Sequence, residues 1–173
     1  MIRKANMNDL EEIILLYEEV TDYLERNINY SNWKKYEYPN ADTARSALRE
    51  DTLYVYDKNG IIGSSVINQY QPPAYNDVKW TFIPADKVGV IHTLLVSPKY
   101  AHKGIGEELI KYAENLARKN NLLYMRLDTY EENIPAQKLY CKLGYAYCGK
   151  IDLKPNRLTK MYFCYEKNLE GTK

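Results

Sequence analysis

Residues 88–121 read VGVIHTLLVSPKYAHKGIGEELIKYAENLARKNN, and this stretch constrains the fold more than any other. It opens with nine apolar-rich residues, enough for a core strand, which Pro98 ends because proline cannot continue a ladder. From Gly104 onward Ile105, Leu109, Tyr112 or Ala113, and Leu116 trace one apolar helix face. Glu107 and Glu108 fall in the first turn, and Arg118 and Lys119 in the last, as the helix dipole favours. Asn120-Asn121 supplies a left-handed stop. A strand, a glycine-bearing loop and a helix start present unpaired N–H groups and partial positive charge, which together form an anion site.

The remaining chain predicts strands mixed with helices. Residues 2–5 read as a strand, Asn6 caps a helix with Asp9 in its first turn, and Leu10, Ile13, Ile14, Tyr17 and Leu24 recur at helical spacing. An aromatic stretch without period, residues 29–39, follows, and Asn40 caps a second helix. Lys58-Asn59-Gly60 separates two strand-like runs, a strong hairpin signal. Residues 71–76 break regular structure, residues 78–82 suggest a short strand, and residues 83–87 turn the chain. Residues 122–128 are the next strand. Asn133 then caps a helix with Pro135 in its first turn and Gly144 at its end. Residues 145–151 and 160–167 are two closing strands, joined by residues 152–159 with Pro155-Asn156. The expected fold is a single α/β (α+β) domain over residues 1–173, with β-α-β in its second half.

Composition removes several function classes. A net charge of +1 argues against bulk nucleic-acid binding, so any phosphate site is local. Cys141, Cys148 and Cys164 lack C-x-x-C spacing, which indicates neither zinc nor a disulfide framework and fits reduced intracellular thiols. The N-terminus carries acids where a signal peptide needs an apolar core, and no run reaches membrane-span length, so the expected location is cytoplasmic without a membrane partner. The 18 tyrosines against 2 phenylalanines are too many for each to be functional.

Two phosphate motifs fit poorly. No G-x-x-x-x-G-K-[ST] string exists. The dinucleotide fingerprint has Gly104-x-Gly106 and Asp128 at the following strand's end, but Leu109 replaces its third glycine and residues 97–103 lengthen its turn.

The run LLVSPKYAHKGIGEELI, followed by RLDTYEENIPAQKLYCKLGY, resembles the acetyl-CoA-binding half of the GNAT superfamily of N-acetyltransferases. The family's loop is [QR]-x-x-G-x-[GA], and its N-x-x-A-x-x-x-Y-x-x-x-G-[FY] run is matched by Asn133, Ala136, Tyr140, Gly144 and Tyr145. The likeness covers residues 90–147, and the ending MYFCYEKNL is similar to the closing strand of many members. One departure is that Ala101 holds the [QR] position and His102 one where glycine is common.

The resemblance implies a mixed, mostly antiparallel central sheet with a splayed parallel pair of strands and about four flanking helices. It implies acetyl-CoA as cofactor, with CoA as product. Backbone groups at Leu94, Leu95 and Val96 would meet the pantetheine between those strands. His102, Lys103, Gly104, Ile105 and Gly106 would hold the pyrophosphate, with Asn133 and Ala136 near the cofactor arm. Tyr140 would protonate the departing thiolate, and His92 would accept the amine proton through water. Trp33, Tyr36 and Tyr38, with Tyr75 on a neighbouring loop, form the expected acceptor wall. The reading is direct acetyl transfer to a primary amine, be it a small amine, an amino acid or a protein amine, in a ternary complex, by a monomer or homodimer with no metal. A non-catalytic acyl-CoA-binding module is the alternative.

Overall fold

A computed structural model describes residues 1–82, 84–153 and 160–170 of the chain. The chain divides into two compact units, Met1–Ile67 with His92–Tyr112, and Asn68–Ile91 with Ala113–Lys173. The first holds β1 (Ile2–Lys4), α1 (Leu10–Arg26), α2 (Ala41–Arg49), β2 (Leu53–Asp57) and all but the last residue of β3 (Ile61–Asn68). The second holds β5 (Tyr124–Tyr130), α4 (Ile134–Lys142), β6 (Ala146–Asp152) and β7 (Met161–Asn168). Both contain part of β4 (Val88–Val96) and of α3 (Ile105–Lys119). Among the described residues the strand order is β1-β2-β3-β4-β5-β7-β6, seven in one sheet. With four helices among those residues and β4–β5 as a parallel pair, this is the mixed α/β architecture expected.

In the first unit, local chemistry sets the helix starts. The Asn6 side chain accepts from the Asn8 N–H, while the Asp9 carboxylate accepts from the Asn6 N–H at 2.8 Å. This box caps a single 3-10 turn, Met7–Asp9, and α1 begins one turn later than its cap suggests. Asn40 accepts from Asp42 and Thr43 N–H groups, each at 3.0 Å, and caps α2 as its sequence predicts. The hairpin forms at Asn59 (φ 54°) and Gly60 (φ 123°), where left-handed backbone suits Asn-Gly. Ile13, Leu16 and Tyr17 of α1 bury themselves with Ala44 and Leu48 of α2, Leu53, Val55, Val66 and Leu95.

In the second unit, β4 pairs in parallel with β5 from Val88↔Tyr124 to Ile91↔Leu127. A Cβ at Gly89 would lie 2.6 Å from the Met125 sulfur, so a larger residue there would have to push that side chain aside. β5 pairs antiparallel with β7, and β7 with β6. Asn133 caps α4 and Gly144 follows it at φ 84°.

Two expectations need correction. β5 begins at Tyr124 rather than Leu122 because the Leu122 N–H caps α3 at Ala117 and the Leu123 N–H bonds the Lys87 carbonyl. Residues 78–82 form no strand; a 3-10 turn, Pro73–Asp77, precedes irregular backbone. Side chains replace a ladder there: Glu166 accepts from the Thr81 N–H at 3.0 Å, and Arg126 donates to the Phe82 carbonyl and to Gln71. Residues 154–159, which carry Pro155-Asn156, and Ile83 lie outside the described residues. No helix among the described residues is long and apolar enough to cross a membrane.

Candidate active site

The glycine loop leaves β4 through a 3-10 turn, Pro98–Tyr100. Residues 101–104 are exposed, with left-handed backbone at His102 (φ 60°) and Gly104 (φ 80°). The Glu108 N–H bonds the Gly104 carbonyl at 3.0 Å, as the first turn of α3 closes. The N–H groups of Ile105, Gly106 and Glu107 therefore precede the intrahelical ladder. Lys103 lies over the Tyr100 ring at 4.8 Å and donates to the Lys99 carbonyl, so its charge stays on the loop. The exposed His102 projects from the loop's left-handed residue.

Ile105 anchors the loop from below with Ile62 and Leu109, and half-buried Leu94, Val96 and Tyr100 pack on that cluster. Gly63 of β3 makes this possible. A Cβ there would lie 3.2 Å from the Leu95 carbonyl and 3.3 Å from side-chain carbons of both Ile105 and Leu109. Sequence reading passed over Gly63, although a lone glycine inside a strand signals close backbone approach.

β4 has one irregular residue, Thr93, whose φ is 49°. A β-branched residue in that region is an outlier. Its hydroxyl meets the Tyr38 hydroxyl at 2.5 Å. Tyr38 in turn sits edge-on to Trp33, ring centroids 6.0 Å apart, and Trp33 packs on the α1–α2 core. Two residues of the expected acceptor wall are thus tied to the strand that carries His92, Leu94, Leu95 and Val96. Tyr36 differs: it is 75% exposed and lines a groove of about 240 Å³ with Tyr17, Glu18, Asp42 and Arg45. His92 is half-buried.

The second unit holds the other expected residues. The Asn133 side chain accepts from the Ala136 N–H at 3.2 Å, so both have a structural task in starting α4. Tyr140 is buried, edge-on to Tyr165 with centroids 5.6 Å apart. Burial, then the Asp128 charge, then Tyr165 push its phenol well above the ordinary value. Tyr75 is also buried, against Trp80 at 5.0 Å, and its hydroxyl donates to the Asp128 carboxylate at 2.8 Å. Burial raises Asp128 to about 6, and the Tyr75 hydrogen bond opposes that rise. The sequence showed Asp128 as an acid ending a strand but gave it no part in acetyl transfer. Its partner comes from 53 residues away, which spacing cannot reveal. Among the described residues no His/Cys/Asp/Glu group is arranged to hold a metal ion.

A family model for the Acetyltransferase (GNAT) family matches residues 13–145. The chain is 40% identical to an Escherichia coli streptothricin acetyltransferase over 63 residues, 36% of each chain, and so spans about a third of that relative. It is 25% identical over 140 residues to an uncharacterized N-acetyltransferase of Archaeoglobus fulgidus, covering 80% of this chain and 88% of the other. A GNAT family acetyltransferase structure from Streptococcus agalactiae superposes with a TM-score of 0.80 at 22% identity, over 97% of this chain and 94% of that one. The yncA structure from Salmonella typhimurium, solved with its cofactor acetyl-CoA, gives 0.72 at 14% identity over 100% and 95%. The match over residues 13–145 shows that the chain belongs to the GNAT family of acetyltransferases.

Proposed function

We propose that the protein transfers the acetyl group of acetyl-CoA to a primary amine by direct attack in a ternary complex. The observation that carries this is the exposed loop of residues 101–104 leading into α3, where the N–H groups of Ile105, Gly106 and Glu107 precede the helical ladder. Those groups suit the CoA pyrophosphate, with His102 and Lys103 at its edge. Acetyl-CoA supplies an acetyl group activated as a thioester, and CoA leaves.

The chain's residues bind, orient and handle protons. Backbone groups of Leu94, Leu95 and Val96 pair with the pantetheine amides, and an N–H polarises the thioester carbonyl. Asn133 and Ala136 fix the start of α4, which carries Tyr140. Tyr140, its phenol fully protonated at neutral pH, hydrogen-bonds the departing sulfur and passes its proton as the nitrogen loses one. Trp33 and Tyr38 support the acceptor side, and exposed Tyr36 meets the acceptor. Tyr75, in the second unit, acts through Asp128, to which its hydroxyl donates. His92, half-buried on β4, takes the amine proton through water.

The test is CoA thiol release across a panel of primary amines that includes streptothricin, lysine, a diamine, an aralkylamine and a lysyl peptide. Release with at least one amine is expected, and Tyr36→Ala should raise that amine's KM several-fold without loss of folding. Tight acetyl-CoA binding without release for any amine would instead support a binding module.

A further inference from the structure

We infer that the paired hydroxyls of Tyr38 and Thr93 limit the length of the acyl group this protein accepts, with the Tyr38 ring as the stop. The inference rests on the acetyl-transfer reading above and names the residues that make its donor acetyl-CoA rather than a longer acyl-CoA. That reading lays the cofactor arm along the backbone of Val96, Leu95 and Leu94, so the acyl end meets the next residue of β4, Thr93. Thr93 is 8% exposed and is the one residue of β4 with left-handed backbone, φ 49°. A β-branched residue keeps that conformation only where its surroundings over-determine it, and such strain collects at functional sites.

What holds Thr93 comes from the connection between α1 and α2. The Tyr38 and Thr93 hydroxyls lie 2.5 Å apart. Tyr38 is itself braced. Its N–H donates to the Lys34 carbonyl at 3.0 Å, and its carbonyl accepts the Lys34 N–H at 3.2 Å, which closes a tight turn. The Trp33 ring stands edge-on to the Tyr38 ring, and both the N–H and the carbonyl of Trp33 bond the Asn29 side chain. Behind the pair, Tyr17 of α1 and Ser64 of β3 are 1% and 0% exposed. Burial above all raises the Tyr17 phenol, and Ser64 and Tyr38 lie close enough to act on it as well.

A braced wall discriminates by overpacking. An acetyl group ends in one methyl, whereas a butyryl group carries two further methylenes that would have to displace the Tyr38 ring or unseat Thr93. One methylene too many against such a wall costs about 10-fold or more in rate. The two parts of Tyr38 have separate tasks. Its hydroxyl holds Thr93 in the left-handed conformation, and its ring occupies the space a longer chain would need.

The experiment compares acetyl-CoA, propionyl-CoA and butyryl-CoA on wild type, Tyr38→Ala, Tyr38→Leu and Tyr38→Phe. Calorimetry gives each dissociation constant without an amine, and kcat/KM with the amine that the panel identifies gives the rate ratios. Wild type should bind butyryl-CoA about 10-fold more weakly than acetyl-CoA and use it about 100-fold less well, with propionyl-CoA between them. Tyr38→Ala should bring the affinities together and cut the rate ratio about 10-fold. Tyr38→Leu, which keeps apolar bulk and so guards against a misfolded alanine variant, should act in the same direction. Tyr38→Phe keeps the ring, so it should weaken all three thioesters alike and keep the ratios. A merely structural Tyr38 would leave the ratios unchanged in every variant. Equal wild-type affinity for acetyl-CoA and butyryl-CoA, or wild-type ratios kept in folded Tyr38→Ala and Tyr38→Leu, would overturn the inference and leave acetyl transfer standing. Failure of wild type to bind any of the three would overturn the acetyl-transfer reading itself, and the acyl stop with it.

Discussion

The Arg126 guanidinium lies 2.8 Å from the Glu166 carboxylate, with side chains only 3% and 2% exposed. Each spends its remaining capacity on the loop that carries Tyr75, Arg126 on Gln71 and the Phe82 carbonyl, Glu166 on the Thr81 N–H. The Trp80 ring covers the guanidinium at 4.1 Å. Arg126→Met leaves a buried carboxylate unpaired and should cost about 3–5 kcal/mol in urea unfolding. Adding Glu166→Leu should recover part of this loss, because the stranded charge is gone. Activity should not return with it, since the loop holding Tyr75 has lost its anchor.

Tyr140→Phe removes one oxygen and leaves the ring tilted against Tyr145 and edge-on to Tyr165. We expect kcat to fall about 100-fold while the amine KM changes little, the pattern for a group that acts only as the bond breaks. Steady-state rates read this, and an unchanged melting temperature shows that packing survived.

Gly63 and Gly104 fail on substitution for different reasons. Gly63→Ala crowds the Leu95 carbonyl and the Ile105 and Leu109 side chains, and should cost about 1–3 kcal/mol of stability. Gly104 has open space around it, so Gly104→Ala meets no clash but must hold φ 80°. That costs about 1–2 kcal/mol, which the exposed loop relieves by shifting its backbone. Calorimetry should show weaker acetyl-CoA binding with little change in melting temperature, and Gly104→Asn should be milder because asparagine tolerates this region.

Asp128 also sets a pH dependence of stability. Its folded pKa, about 6, lies above the ordinary aspartate value of 3.8, so the fold prefers the neutral acid. The resulting stabilisation is full below pH 3.8 and is lost as the pH rises through 6. At pH 8 the native state carries a charge penalty of about 3 kcal/mol. Asp128→Asn should therefore be more stable than wild type at pH 8 and show no such gain at pH 4, by urea midpoints at each pH.

Much of the fold was legible because its signals are local. Asn40, Asn59-Gly60, Asn121, Asn133 and Gly144 each fix a cap or turn through their own side chain or backbone freedom. Nearest-neighbour chemistry suffices to read them. Residues 78–82 misled for the opposite reason: their alternation suits a strand, but Arg126 and Glu166 satisfy their backbone from distant positions. The site divides the same way. The loop and the Asn133-to-Tyr140 run follow a contiguous pattern, whereas Asp128 gains its meaning from Tyr75, and Thr93 from Tyr38. Such pairs exist only once the chain has folded.

Trp33 and Trp80 are the only two tryptophans in the chain, and each compact unit contains one. Trp33 rests edge-on against Tyr38, while Trp80 lies over a cation with its indole N–H bound. Their different surroundings give them different emission. Trp33→Phe and Trp80→Phe thus turn the protein into two single-tryptophan versions of itself, read by excitation that spares the tyrosines. Intrinsic fluorescence then follows the melting of each half separately, with no dye attached.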